Sequence, residues 1–320
     1  MSAEMNTMDV VLFGFCDADY IQAAYSSIED VAAIITPCAR RFERVWLSIR
    51  LARMVDLPLK GLFCRLDIKS AHIELPENPI FIFFESKYAY SADYVNYLKS
   101  KYPAGKYVFV MVNPVSIRDR FSFWSDRLEE FDLVVSCVPE DAKRYGWAYY
   151  PSCYSKSIDD KDAVIKCDIT YTGYTGVDRD SEVERLYNYF TERGLKCDFT
   201  IIGKNPRCSA ASGIKYKKRY LPYREVVKKT IRSKAVLELT QKSLDYATLR
   251  TMEALKYGKK LITCNSAVVD MEHYRKSNIA LVNDIPGIDL NEFLNSPFEE
   301  IPQDAFSPSG LVRFIKMQLR

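Results

Sequence analysis

The chain has 320 residues, 48% of them hydrophobic and 27% charged, with 12 glycines and 14 prolines. That is ordinary globular composition, long enough for two domains with sizeable cores. The net charge of +3 is small for this size, and no nucleic-acid partner is expected, because such binders carry a clear basic excess on one face. In chain order, β-branched and aromatic runs predict strands over 10–15, 80–84, 107–112 and 133–137, with helices over 23–34 and 91–101. The second half repeats the rhythm, with strands over 169–172, 197–202, 235–239, 260–263 and 279–282, and helices over 181–193, 224–233 and 246–257. Continuous apolar strands suit a parallel sheet covered on both faces. Gly194 and Gly258 close helices in the manner of a C-terminal glycine.

This alternation predicts two doubly wound α/β units. The polar stretch 155–161 separates them, giving domains over 1–155 and 165–305. A tail helix over 306–320 carries Leu311, Phe314, Ile315 and Leu319 on one side; it either caps the second sheet or crosses back to the first domain. The one dense basic run, 215–219 (Lys-Tyr-Lys-Lys-Arg), reads as a solvated loop, with acidic lipid or phosphate as its other use.

The nine cysteines are scattered singly with no CxxC pair, which fits reduced, mostly buried thiols in a cytoplasmic protein better than a disulfide framework. His72 and His273 are the two histidines, and neither has a partner at metal-ligand spacing, so no zinc site is expected. There is no apolar run of about 18 residues to span a bilayer. No signal peptide is expected from the first residues.

Residues 237–263 hold the densest chemistry: a strand, a polar loop, a helix, a glycine stop and a second strand. With Asp245 as N-cap, the N–H groups of residues 246–248 would point into a crevice at the carboxyl end of a strand, a natural anion site. Thr248 and Arg250 would add a hydroxyl and a fixed charge for a diphosphate. Glu253 follows about 12 Å along the helix axis, where a carboxylate can accept from the vicinal hydroxyls of a ribose. On spacing alone, Arg250 and Glu253 equally form an i,i+3 surface pair. The turn Gly173, Tyr174, Thr175 and Gly176 has two glycines that would let a backbone approach a ligand; a tight βα turn explains them equally. Tyr223, before a helix, would either stack on a nucleobase or join the core.

Asp245, seven intervening positions and Glu253, followed by Ala254-Leu-Lys-Tyr-Gly-Lys-Lys-Leu-Ile-Thr263, resemble the donor-binding signature of GT-B glycosyltransferases. Asp245 stands where Glu is more usual, and its loop lacks the Pro and Gly that many members carry. The block from Thr248 to Leu255 with Gly258 to Thr263, and the stretches 131–146 and 149–154, resemble bacterial capsule and lipopolysaccharide biosynthesis proteins of that type. The resemblance is fair over the later part of the chain and weak over its start.

The fold it implies is α/β of the GT-B type, two doubly wound Rossmann-like domains facing a central cleft. The implied activity is sugar transfer from a nucleotide-sugar to a glycan or lipid-linked acceptor in surface polysaccharide synthesis. It would proceed in the cytoplasm, with peripheral contact at the inner leaflet, and without cofactor or metal. The resemblance makes Lys204, Gln241 and Leu249 further donor-binding candidates, with the helix N-terminus, Arg250 and Lys204 stabilising the departing diphosphate. Asp17, Asp19 and Glu85, each after a strand, are rival catalytic bases for an inverting reaction; a retaining one needs none. The alternative function is a non-catalytic GT-B-like module that binds a sugar or a partner protein.

Overall fold

A computed structural model of the chain describes residues 9–13, 23–25, 28, 31–35, 75–84, 92–115, 128–203, 213–240, 244, 246–302 and 304–320. The chain divides into two compact units, Met1–Pro151 with Pro308–Arg320, and Ser152–Ser307.

The described strands of the first unit are β1 (Val10–Phe13), β2 (Ala33–Ile35), β3 (Ile80–Phe84), β4 (Lys106–Met111), β5 (Leu133–Ser136) and β6 (Ala148–Tyr149). They form one sheet in the order β2-β1-β3-β4-β5-β6, every neighbour parallel. Val10, Val11 and Leu12 are consecutive and all buried, so both faces of β1 are covered. The core is rich in aromatics: the Phe131 ring lies 5.2 Å from Phe109 and 5.9 Å from Phe83. Helix α1 (Ala92–Lys101) lies between β3 and β4 in sequence, and α2 (Pro139–Tyr145) between β5 and β6. Pro139 at the first turn of α2 gives up no helical hydrogen bond, and Gly146 ends the helix in the left-handed conformation at φ 68°.

The second unit contains β7 (Cys167–Tyr174), α3 (Val177–Thr191), β8 (Cys197–Ile202), β9 (Lys215–Lys217), α4 (Tyr223–Ile231), β10 (Ser233–Glu238), α5 (Leu249–Lys256), β11 (Lys260–Thr263), β12 (Ile279–Leu281) and α6 (Leu290–Asn295). Its sheet is parallel throughout, in the order β12-β11-β10-β7-β8-β9. Three strands run outward on one side from β7 and three on the other from β10. That is the doubly wound dinucleotide-binding order, with its reversal between β7 and β10. The last helix, α7 (Pro308–Gln318), belongs to the first unit, where Lys316 pairs with Asp9 beside β1 at 2.9 Å.

Three expectations are corrected. The helix expected over 23–34 gives way at its end to β2, where Ala33 sits opposite Val11 and the Ala32 N–H reaches the Val10 carbonyl at 2.7 Å. Pairing with a buried strand outweighs the helix preference of the alanines, and two isoleucines favour it. The basic run at 215–219 is not wholly a loop: Lys215–Lys217 is β9, an edge strand with Tyr216 partly buried and both lysines exposed. Lysines on an edge discourage further strand addition. Finally, the helix expected over 246–257 begins three residues later, at Leu249.

Candidate functional site

In an open α/β sheet, ligands bind beyond the carboxyl ends of the strands, where the strand order reverses. In the second unit that point lies past β7 and β10, so the β7–α3 turn and the β10–α5 connection define the candidate site.

Gly173 and Tyr174 end β7, Thr175 leads into the turn, and Gly176 is the N-cap residue of α3. The turn is closed from within. Asp180, buried in the first turn of α3, accepts from the Thr175 hydroxyl at 2.5 Å and from the Gly176 N–H at 3.0 Å. The Thr175 N–H donates to the Ile202 carbonyl at 2.8 Å and ties the turn to the end of β8. A Cβ on Gly173 would collide with the Tyr171 hydroxyl, and one on Gly203 with Cγ2 of Thr175. These two glycines therefore make room for the protein's own side chains. Gly176, with φ −159°, is extended and meets only ordinary contact.

Glu238 ends β10 and belongs to no motif that the sequence offers. It is buried, and three threonine hydroxyls donate to it. Thr263, from the end of β11, does so at 2.6 Å; Thr251 reaches both oxygens at 3.1 Å; Thr248 completes the set. The one signal for it in the chain is an acid closing an apolar strand, with threonines on the next two elements.

Thr248, not Asp245, is the N-cap of α5. Its hydroxyl oxygen accepts the Arg250 N–H at 3.0 Å while its proton is donated to Glu238. The hydroxyl grip of Glu238 fixes the start of the helix here. The N–H groups at the helix start are thus those of residues 249–251 rather than 246–248, and Leu249 is the first helical residue, partly buried.

Glu253 is 0% exposed. One oxygen accepts from Arg250 Nη1 at 2.5 Å and from the Thr230 hydroxyl at 2.6 Å, and the other from the Tyr223 hydroxyl. The i,i+3 pair with Arg250 forms, but inside the unit rather than on its surface. Glu253 is consequently turned towards α4 and already carries three donors, a different setting from the open ribose acceptor expected of it. Tyr223 is buried and also hydrogen-bonds the Tyr154 hydroxyl at 3.3 Å, so its ring belongs to the core; Tyr220 is the exposed ring of that segment. Burial, reinforced by the Glu253 charge, pushes the Tyr154 and Tyr223 phenols well up, keeping both as donors at neutral pH. Desolvation opposes the charge on Arg250, but the Glu253 carboxylate outweighs it and holds the guanidinium above its ordinary value. The Arg250 side chain is 24% exposed, and among the described residues its guanidinium has no second acceptor.

Lys204, Gln241 and Asp245 lie outside the described residues, as do Asp17, Asp19 and Glu85. Among the described residues, no group of three or more His, Cys, Asp or Glu side chains is arranged to hold a metal ion, and no helix is long and apolar enough to cross a membrane. Cys137, Cys153 and Cys167 are buried, whereas Cys264 is exposed.

No family model and no curated protein matches the chain by sequence. Solved structures match its fold. The trehalose-6-phosphate synthase OtsA aligns with a TM-score of 0.51 at 10% identity, over 82% of this chain and 75% of that one. A trehalose-6-phosphate synthase studied with bisubstrate glycomimetics aligns with a TM-score of 0.50 at 10% identity, over 97% and 93%. An α-glucosyltransferase in complex with UDP-glucose and DNA containing an abasic site aligns with a TM-score of 0.48 at 12% identity, over 74% and 80%. The last structure contains DNA, and the exclusion of nucleic acid is withdrawn. The exclusion rested on net charge, which averages over every face of a chain and says nothing about any one of them. With its two parallel doubly wound sheets and these structural matches, the chain has an α/β fold of the GT-B class, built of two Rossmann-like domains.

Proposed function

We propose that the protein is a glycosyltransferase that takes its sugar from a nucleotide-sugar bound at the second unit. One observation carries this reading. The reversal of strand order between β7 and β10 coincides with the segment whose sequence resembles a donor-binding signature. The Gly173–Gly176 turn lies on one side of that point, and the N-terminus of α5, with Thr248, Leu249 and Arg250, on the other.

In this reading the donor diphosphate lies against the start of α5, where backbone N–H groups and the helix dipole favour an anion. Arg250, its orientation fixed by Glu253, supplies the positive charge, and Lys204 a second one. These groups take up the charge that develops as the bond between the sugar C1 and the diphosphate oxygen breaks, the task a metal ion performs in other transferases. A bond from C1 to an acceptor hydroxyl oxygen forms, and in an inverting reaction Asp17, Asp19 or Glu85 takes the hydroxyl proton. Glu253 acts chiefly by holding Arg250, with Tyr223 and Thr230 fixing it in turn. Gln241 and Asp245 complete the donor contacts. The acceptor is a glycan or a lipid-linked saccharide of a surface polysaccharide, and the reaction takes place in the cytoplasm at the inner leaflet.

Thermal denaturation with a panel of sugar nucleotides and free nucleoside mono- and diphosphates tests the reading. A ligand at about 100 times its dissociation constant adds about 2.7 kcal/mol. A diphosphate should stabilise more than its monophosphate, and Arg250→Ala should remove that increment. Absence of stabilisation by every nucleotide would falsify the donor site, and turnover abolished by EDTA would refute the metal-free route.

A further inference from the structure

The segment by which the chain enters the second unit, beginning at Ser152, lies along α5. The Ser152 hydroxyl donates at 3.1 Å to the carbonyl of Ala247, the residue just before the Thr248 cap. At the other end of the helix, the Tyr257 hydroxyl receives the Ser157 and Ile158 N–H groups at 3.0 and 3.1 Å. Ser152 precedes Ser157 as Ala247 precedes Tyr257, so entry segment and helix run side by side in one direction.

Between these two ends stands Tyr154, which is 0% exposed. Its N–H donates to the Phe306 carbonyl at 2.9 Å, and its ring meets Tyr257 edge-on, with centroids 6.0 Å apart. Phe306 holds φ 55°, a left-handed conformation that a bulky side chain adopts only where its surroundings impose it. The backbone at Tyr154 is thereby held firmly, and its phenol with it.

The Tyr154 and Tyr223 hydroxyl oxygens lie 3.3 Å apart. Tyr223 has one proton, and the Glu253 carboxylate, the stronger acceptor, takes it. The contact between the two phenols is then carried by the Tyr154 proton. A phenol that accepts a hydrogen bond becomes a better donor, so the series from Tyr154 through Tyr223 to Glu253 strengthens in one direction. It ends on the carboxylate that holds Arg250 Nη1 at 2.5 Å. Thr230 donates to the same Glu253 oxygen as Arg250, so Tyr223 is the side chain that fixes the other oxygen.

We infer that Tyr154 is a positioning residue for the donor: through Tyr223 and Glu253 it sets the Arg250 guanidinium against the diphosphate, while Ser152 sets the backbone leading into α5. The inference rests on the donor site proposed above. It adds to that site a segment about 100 residues earlier in the chain, which touches no ligand and acts through α5 alone.

The test compares the full chain with its Tyr223→Phe, Tyr154→Phe, Ser152→Ala and Arg250→Ala variants. Each is titrated calorimetrically with UDP, GDP, ADP and TDP and with the matching monophosphates. For the diphosphate that the parent binds best, Tyr223→Phe should weaken binding about tenfold and Tyr154→Phe about threefold. The matching monophosphate should change by less than about twofold, since it does not reach Arg250 in the same way. With Arg250→Ala already in place neither tyrosine should matter, because the series has nothing left to orient. Ser152→Ala acts on the backbone instead, so its loss of about twofold should persist without Arg250. A purely structural Tyr154 would lower the melting temperature and leave the preference for diphosphate intact. Should Tyr154→Phe fail to fold, Tyr223→Phe breaks the same contact from its other side and carries the comparison. The inference is overturned if the diphosphate preference is unchanged, if both nucleotides weaken alike, or if the loss is as large without Arg250 as with it. Where Arg250→Ala removes the preference and the tyrosine variants do not, the donor site stands and the positioning role fails. A parent chain that binds no nucleotide sinks both.

Discussion

Glu238 and Glu253 lie on consecutive elements of the second unit, each withdrawn from water and each taking several donors. Their surroundings differ in kind. Glu238 receives three threonine hydroxyls, which are neutral and free to rotate about their C–O bonds. Glu253 receives a guanidinium, together with the hydroxyls of Tyr223 and Thr230. A hydroxyl can reverse its role from donor to acceptor, but a guanidinium can neither accept nor lose its charge. The first carboxylate is therefore set in a forgiving cradle that joins β10, α5 and β11. The second is one half of a charge pair whose other half is unusable without it. A buried pair adds little net stability, yet removing one partner strands the other.

The sharpest way to break this contrast is to neutralise each acid without changing its shape. Glu253→Gln should cost the second unit about 3 kcal/mol, because Arg250 loses the charge that compensates its burial. Urea denaturation monitored by circular dichroism would measure it, and a loss no larger than that of Glu238→Gln would refute the distinction. Glu238→Gln should cost about 1.5 kcal/mol, since the threonine hydroxyls can turn to pair with the new amide. Thr248→Ala should cost about 1 kcal/mol through loss of the N-cap. Combined with Glu238→Gln it should cost less than the sum, as the two side chains share a hydrogen bond; additive costs would show that the cap acts independently.

Asp198 supplies the weak end of the scale. Desolvation raises its carboxyl, but Lys215 at 2.8 Å and Lys229 at 3.3 Å outweigh that and hold it below the usual carboxylate range. A depressed folded value means that the contribution is present above the unfolded pKa, near 4, and is lost as pH falls through the folded one. Melting temperatures recorded from pH 6 down to about pH 3 should therefore fall less steeply for Asp198→Asn than for the parent chain. The effect should be small, because all three side chains remain partly in water.

The interior strands are legible in the residue pattern itself. The runs at 80–84, 197–202 and 260–263 coincide with β3, β8 and β11, and each has an apolar centre, Ile80 to Phe84, Phe199 with Ile201 and Ile202, and Leu261 with Ile262, as a parallel strand covered on both faces requires. The strands that the pattern does not reveal, β2, β6 and β9, all lie at sheet edges and are two or three residues long. Such segments have no periodicity of their own and are defined by the neighbour they pair with. The candidate site divides in the same way. The motif from Thr248 to Glu253 is visible as residue types at a spacing. The start of α5 is not, because the choice between Asp245 and Thr248 depends on a carboxylate ten residues before Thr248 in the chain.

The sequence alone determined two doubly wound units and the glycines that close the helices, which follow from local composition and spacing, and it marked a candidate donor segment after β10 through its resemblance to a donor-binding signature. Tertiary structure decided which face Glu253 presents, that Tyr223 belongs to the core, that Glu238 organises three threonines, and that Tyr154 meets Tyr223. These depend on groups distant in the chain meeting at hydrogen-bond range, where burial turns an ordinary acid or ring into one with a defined partner.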